Sequence, residues 1–164
     1  MKLIKLTAGF STMVDDEDYE FLMQHRWQHI NTRNNGKYAS HGIYIDGRVY
    51  RILMHRLIML APNDVCEIDH IDGDGLNNQK YNLRFATDKQ NGRNKGLASN
   101  NTSGYKGVSW HKGINKWGVS ICYKGNDRSK HLGYFKDIKD AARAYNKAAT
   151  KYHGEFARLN VIPE

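Results

Sequence analysis

The chain has 164 residues, of which 40% are hydrophobic, and carries a formal net charge of +8. That length has room for two small domains and no more, each with a thin core. No apolar run is long enough to cross a bilayer, and no charged-then-apolar leader opens the sequence, so a cytoplasmic protein is expected. Cys66 and Cys122 fall in different predicted domains without zinc-ligand spacing, and free thiols in a reducing compartment are the simplest reading. Charge is divided unevenly. Residues 1–91 carry 11 Lys/Arg against 12 Asp/Glu, a net of −1, while residues 92–164 carry 14 against 5, a net of +9. A basic half attracts a polyanion, although a solvated surface is also often basic.

In chain order, Asp15 to Met23 reads as a short acidic helix. Its carboxylates are better explained by the positive end of a helix dipole than by a metal. Trp27 is then placed on a strand. Tyr38 to Tyr44 and Arg48 to Leu53 read as paired strands around Asp46-Gly47, a hairpin turn signal. Val65 to Ile68 fits a short strand, and Asp72-Gly73-Asp74-Gly75 is turn chemistry. Asn82 to Ala86, with Leu83 and Phe85 in alternation, predicts a second strand. Thr87 and Gln90 form a capping box that opens a helix with Asn91 in its first turn.

This strand, loop, strand and helix carry Asp69-His70, Asn82, Arg84 and Asn91 at spacings that suit hydrolysis of a phosphodiester with a single metal ion. His70 is the candidate general base, because imidazole titrates near neutrality. Asp69 and Asn91 offer oxygen ligands suited to Mg²⁺ or another hard ion that keeps several waters. Asn82, with amide donors and a carbonyl acceptor, can tie the loop to the His70 strand. Arg84 is a candidate phosphate contact. An isolated Asp-His pair is usually a surface loop; the conjunction of all these features raises its significance.

These residues, from Asp69-His70-Ile-Asp-Gly-Asp-Gly-Leu-Asn-Asn through Asn82-Leu-Arg to Gln90-Asn91, resemble the HNH nucleases of the phage and bacterial homing type. The resemblance implies a two-strand-plus-helix metal finger. His70 matches the general base, Asn82 the structural asparagine, and Asp69 and Asn91 the metal ligands. The last position is Asn where the family name has His. Some branches use Asn there, nicking ones in particular, which favours Mg²⁺ or Mn²⁺. Met1 to about Ala61 is similar to the N-terminal extension of phage members. Within it, Met54-His55-Arg56-Leu57-Ile58 resembles the segment ahead of the motif, where His55 and Arg56 either support the site or simply occupy a helix face.

Asn91 to Ser103 is rich in Asn, Gly, Ser and Lys and reads, beyond the helix, as a flexible basic linker. Trp117, Val119, Ile121 and Tyr123 then alternate with small or polar residues, a strand with one face on a core. Gly125-Asn126-Asp127 is a predicted turn into a further strand. Asp137 is the expected cap and Gly154 the stop of a helix bearing Ile138, Ala141, Ala142, Tyr145, Ala148, Ala149 and Tyr152 at helical spacing. Trp117, Phe135 and Tyr145 are assigned to core packing, and Trp110 is left open.

The words Tyr105-Lys-Gly-Val108, Lys116-Trp117, Leu132-Gly-Tyr-Phe135, Ala141-Ala-Arg-Ala-Tyr145 and Gly154-Glu-Phe-Ala-Arg-Leu-Asn160 resemble the plant APETALA2 DNA-binding domain. That resemblance implies a sheet face that enters the major groove. The matching face would include Lys106, Ser109, His111, Ser120, Cys122, Ser129 and His131. Several of these positions hold Arg or Trp in the plant proteins and weaker donors here. The expected contacts are therefore phosphate-directed, from Lys112, Lys116, Lys124, Arg128 and Lys130.

The sequence thus predicts an α+β protein: an N-terminal β extension and HNH finger over 1–95, a linker over 96–103, and a three-stranded antiparallel sheet packed on one helix over 104–160. The expected activity is metal-dependent cleavage of double-stranded DNA for a phage or mobile element, in the host cytoplasm if phage-encoded. One His and one metal site without a second copy favour a monomer that nicks. A DNA-binding regulator with a decayed nuclease, a defensive or non-specific nuclease, and an RNA-directed protein are the competing readings.

Overall fold

The computed structural model describes residues 1–32, 36–61, 66–123 and 129–164. Val65, the Gly125–Asp127 turn, Lys124 and Arg128 lie outside the described residues. The architecture is α+β, built of small antiparallel sheets and few helices, and divides into two compact units, Met1–Asp88 and Lys89–Glu164.

The first unit opens with a hairpin of β1 (Lys2–Lys5) and β2 (Ser11–Val14), followed by α1 (Asp16–Leu22). Next come β3 (Gln28–Asn31), β4 (Lys37–Ile45) and β5 (Arg48–Leu53), which form a sheet in the order β3-β4-β5. Asp46 and Gly47 join β4 to β5 with φ of 48° and 77°, the paired positive values of a primed hairpin turn. The short helix α2 (Met54–Ile58) leads to a second hairpin, β6 (Glu67–His70) with β7 (Leu83–Ala86). Ile4, Leu6, Val14, Leu22, Trp27, Ala39 and Met54 form the core. Trp27 lies one residue ahead of β3 rather than on it, and its indole N–H donates to the Leu22 carbonyl at 2.8 Å.

The acidic run does more than complement a helix dipole. Asp15 occupies the N-cap position of α1, but its side chain makes no bond to the helix. Its carboxylate instead accepts from the Gln79 side chain at 3.0 Å and the Lys80 backbone N–H at 2.7 Å. The Lys80 ammonium meets Glu17 at 2.5 Å and Asp18 at 2.9 Å. The first turn of α1 therefore latches onto the chain just before β7. There a 3₁₀ turn, Lys80–Asn82, takes Asn82 out of the predicted strand, which begins at Leu83.

The helix α3 (Asp88–Asn94) begins one residue after Thr87, where the capping box places it, and from Lys89 onward falls in the second unit. That unit continues with β8 (Val108–His111), β9 (Lys116–Cys122) and β10 (Ser129–Phe135) in the order β10-β9-β8, then α4 (Ile138–His153). Residues 96–103 form neither helix nor strand, yet they are bonded: Asn101 accepts from the Gly104 N–H at 2.8 Å and donates to the Tyr105 carbonyl at 2.9 Å. Val108, Val119, Ile121, Ala141, Tyr145, Ala148 and Ala149 are the buried core, with Trp117, Phe135, Ile138 and Tyr152 packed against it. Asp137 caps α4 by accepting from the backbone N–H groups of Lys139 and Asp140, and Gly154 stops it at φ 57°.

Regular alternation breaks in β10. His131 pairs with Ser120, but Gly133 pairs with Val119, so Leu132 is an extra residue in a bulge. After it, Tyr134 pairs with Gly118, and Phe135 pairs with Trp117 on the helix side.

Gly107 has φ +74°, and a Cβ there would meet the Tyr145 ring at 2.2 Å and the Ser120 carbonyl at 2.7 Å. Both the backbone and the packing demand glycine. Gly107→Ala should destabilise the second unit by about 2 kcal/mol or more, read as an earlier unfolding transition in thermal denaturation.

Candidate functional site

The β6–β7 register sets Asp69 opposite Arg84 and His70 opposite Leu83. Cross-strand neighbours share a face while successive residues alternate, so Asp69 and His70 take different partners. Asp69, 4% exposed, receives the Arg84 guanidinium through Nε at 2.8 Å and a terminal nitrogen at 2.6 Å, both on one carboxylate oxygen. Arg84, predicted as a phosphate contact, is here the half-buried ion-pair partner of the predicted metal ligand.

His70, 6% exposed, packs edge-to-face against His55 with ring centroids 4.9 Å apart, and the Tyr38 ring lies 5.8 Å away. His70 Nε2 lies 3.3 Å from Asn78 Oδ1. The direction of this bond follows from the chain of partners behind it. The Leu76 carbonyl can only accept, so the Thr12 hydroxyl, 2.7 Å away, donates its single hydrogen to it. Thr12 Oγ1 is then the acceptor for the Asn78 amide nitrogen at 2.7 Å, which turns the Asn78 oxygen toward His70. Nε2 must therefore carry the ring hydrogen, and the basic lone pair of neutral His70 sits on Nδ1. Thr12 and Asn78 have no exposed surface.

The loop between β6 and β7 is fixed by amides. Asn82 Oδ1 accepts from the Asp72 N–H at 3.0 Å, and its Nδ2 donates to Asp72 at 2.9 Å and to the Asn77 carbonyl at 2.9 Å. Asn82, at the entry to β7, thus ties together the two ends of the loop that follows the His70 strand. Asn77 also donates to Asp72, at 2.8 Å, and Met13 bridges to Asn77 in parallel. Burial would raise the Asp72 carboxyl, but hydrogen bonds from Asp74, Asn77 and Asn82 outweigh it and hold the group below the usual carboxylate range.

Both imidazoles are driven toward neutrality. For His70, burial lowers the affinity for a proton despite the opposing influence of Asn78, Asp72, Asp69 and Asp74. For His55, burial first, then the neighbouring His70 and Arg56, push the pKa down to about 3. Arg56 donates to the Cys66 carbonyl at 3.0 Å, so α2 braces both the chain entering β6 and the His70 ring.

Asn91 is half-buried in the first turn of α3. Asp69 and His70 belong to the first unit and Asn91 to the second. The donors fit a hard cation: one carboxylate and one amide oxygen suit Mg²⁺, which retains waters. The described residues include no group of three or more His, Cys, Asp or Glu placed to hold a metal ion.

On the sheet of the second unit, Ser109, His111, Ser120, Cys122, Ser129 and His131 are exposed on the face opposite α4, together with half-buried Lys116. Lys112 is exposed in the β8–β9 turn. Two predicted DNA contacts are elsewhere. Lys130 pairs with the buried Ile121 and reaches the Tyr152 hydroxyl on α4 at 2.9 Å, so it is on the helix side. Lys106 donates to the carbonyls of Arg93 and Lys95 at the end of α3, and desolvation, with Arg158 nearby, pushes its pKa down to about 8. Tyr134, which the sequence reading missed, joins the open face. It is 46% exposed, with its ring 4.4 Å from His131 and 5.5 Å from His111. Trp110, also exposed, sits edge-on to Trp117 at 4.9 Å.

No protein-family model matches the chain. Over 92 residues, covering 56% of this chain and 74% of the relative, it is 36% identical to protein 3.8 of Escherichia phage T7. The chain belongs to the phage protein 3.8 family. It is also 36% identical over 118 residues, 68% of its length, to an Acanthamoeba polyphaga mimivirus protein described as an uncharacterized HNH endonuclease. The chain spans 59% of that mimivirus protein's length.

Arg84→Ala should cost about 3–5 kcal/mol, because it strands a buried carboxylate. Urea unfolding would register this loss. The neutral His55 gives a second expectation. Its folded pKa lies below the unfolded value, so its stabilisation is complete above about pH 6.5 and is lost as pH falls. Stability at pH 5 should be about 2 kcal/mol lower than at pH 7.5 from this group alone, and His55→Leu should flatten that slope in urea titrations at the two pH values.

Proposed function

We propose that this protein is an HNH-type endonuclease that hydrolyses double-stranded DNA, with His70 as general base. The observation that carries the reading is the buried Asp69-His70 step, in which a hydrogen-bond relay leaves the imidazole lone pair on Nδ1. A relative described as an HNH endonuclease supports the same chemistry.

Burial lowers the His70 pKa, so at neutral pH the ring is poised to accept a proton from the attacking water. The Asn78 carbonyl holds Nε2–H and fixes ring orientation, and becomes a stronger partner as the ring gains charge. Asp69 and Asn91 would hold Mg²⁺ or Mn²⁺, with Arg84 orienting the Asp69 carboxylate. A bound ion of this kind would supply charge neutralisation at the scissile phosphate and the leaving oxygen.

The second unit is assigned to DNA binding, as an APETALA2-type sheet. Its open face, with Ser109, His111, Lys116, Ser120, Cys122, Ser129, His131 and Tyr134, offers few bidentate donors, so contacts to phosphate dominate. The family resemblance favours a homing or other mobile-element role in the cytoplasm of a host cell. A monomer with one His and one metal site would nick one strand per binding event.

The test is conversion of supercoiled plasmid, with Mg²⁺ and with chelator. Wild-type protein should give nicked circles only with the metal. His70→Ala should cut about 10²–10⁴-fold more slowly while binding duplex DNA with unchanged affinity. Cleavage that survives EDTA, or an undiminished rate in the variant, would refute the mechanism.

A further inference from the structure

Lys106 is misplaced for a DNA contact. Its ammonium donates to the backbone carbonyls of Arg93 and Lys95, both at the C-terminal end of α3. The last carbonyls of a helix have no intrahelical donors, and a cation there also meets the negative end of the helix dipole. At seven residues, α3 is too short to persist by its own backbone bonds.

The other end of the lysine is equally fixed. Its backbone N–H donates to Asn160 Oδ1 at 2.6 Å, and its carbonyl accepts from Asn160 Nδ2 at 3.1 Å. Asn160 is in turn bonded twice to Asn146 of α4, at 2.7 and 2.9 Å. Gly107, the next residue, lies against the Tyr145 ring.

We propose that Lys106 is a positioning residue that fastens α3 to the sheet of the second unit and so holds Asn91, the proposed metal ligand, in place on it. This rests on the reading of Asn91 as a metal ligand given above. It also revises a simpler division of labour, in which the first 95 residues alone would retain a complete catalytic set.

The test uses the full chain with Lys106→Met, which keeps the stem and removes the charge, and Lys106→Arg as the conservative variant. Amide hydrogen exchange of residues 89–94 should quicken about 10-fold or more in Lys106→Met, a local opening by more than one decade. The Mg²⁺ concentration for half-maximal plasmid cleavage should rise about 10-fold, the scale of losing a support behind a metal ligand. Duplex affinity in EDTA should stay within about 2-fold, as expected for a lysine that contacts no phosphate. Lys106→Arg should restore part of the metal response. Unchanged exchange in α3 would overturn the proposal. So would an affinity loss matching that of Lys116→Met with an unaltered Mg²⁺ response. If the wild-type protein cuts no DNA, the nuclease reading fails by itself, and the exchange measurement still decides whether Lys106 holds the helix.

Discussion

A threonine hydroxyl has one hydrogen to give, and Thr12 gives it to the Leu76 carbonyl. Everything downstream is then determined: the Asn78 amide must present its nitrogen to Thr12 and its oxygen to His70. Because Thr12 and Asn78 are both sealed from bulk solvent, a broken link would leave a buried polar group unsatisfied, at a cost of about 1–3 kcal/mol. The β1–β2 hairpin is therefore part of the site, although no residue in it bears on the chemistry directly. It sets which nitrogen of a distant imidazole is basic.

The surroundings of that relay are organised to keep net charge low where solvent is scarce. The His55 and His70 rings are both driven neutral by burial. Asp69 is matched by Arg84, and Asp72 by three donors in its own loop. A buried pair such as Asp69–Arg84 contributes little net stability because both ions are desolvated, but it fixes geometry firmly. The loop behaves in the same way, with Asn77 and Asn82 crossing on Asp72 so that strand and turn move together.

Much of the scaffold was legible because it follows from local rules. Asp46-Gly47 specifies a primed turn, Asp137 a cap and Gly154 a stop, and the alternation around Val119 and Ile121 specifies a half-buried strand. What escaped the sequence was tertiary use of polar side chains. Arg84 looks like any surface cation until the strand register sets it across from Asp69. Lys106 and Lys130 carry the charge of DNA contacts, but one caps a helix end and the other meets Tyr152. Thr12 and Asn78 gave a weaker signal still. Asn78 stood inside the motif without an assigned role, and Thr12 is separated from it by most of the first unit. Tyr134 was hidden by the bulge at Leu132, which inverts the alternation that would have buried it.

That bulge has an evolutionary consequence. Before it, odd-numbered positions of β10 point outward; after it, even-numbered ones do. Gly133, at φ +130°, is the seam between the two phases. The side chains that line the open face thus point away from the helix-side core, and can be exchanged one at a time while Val119, Ile121 and Phe135 keep the domain folded. Insertion or loss of a single residue near the seam would instead turn Tyr134 into the core and bring Phe135 out. Point substitution is consequently the open route for retuning this surface, and length variation within β10 is closed.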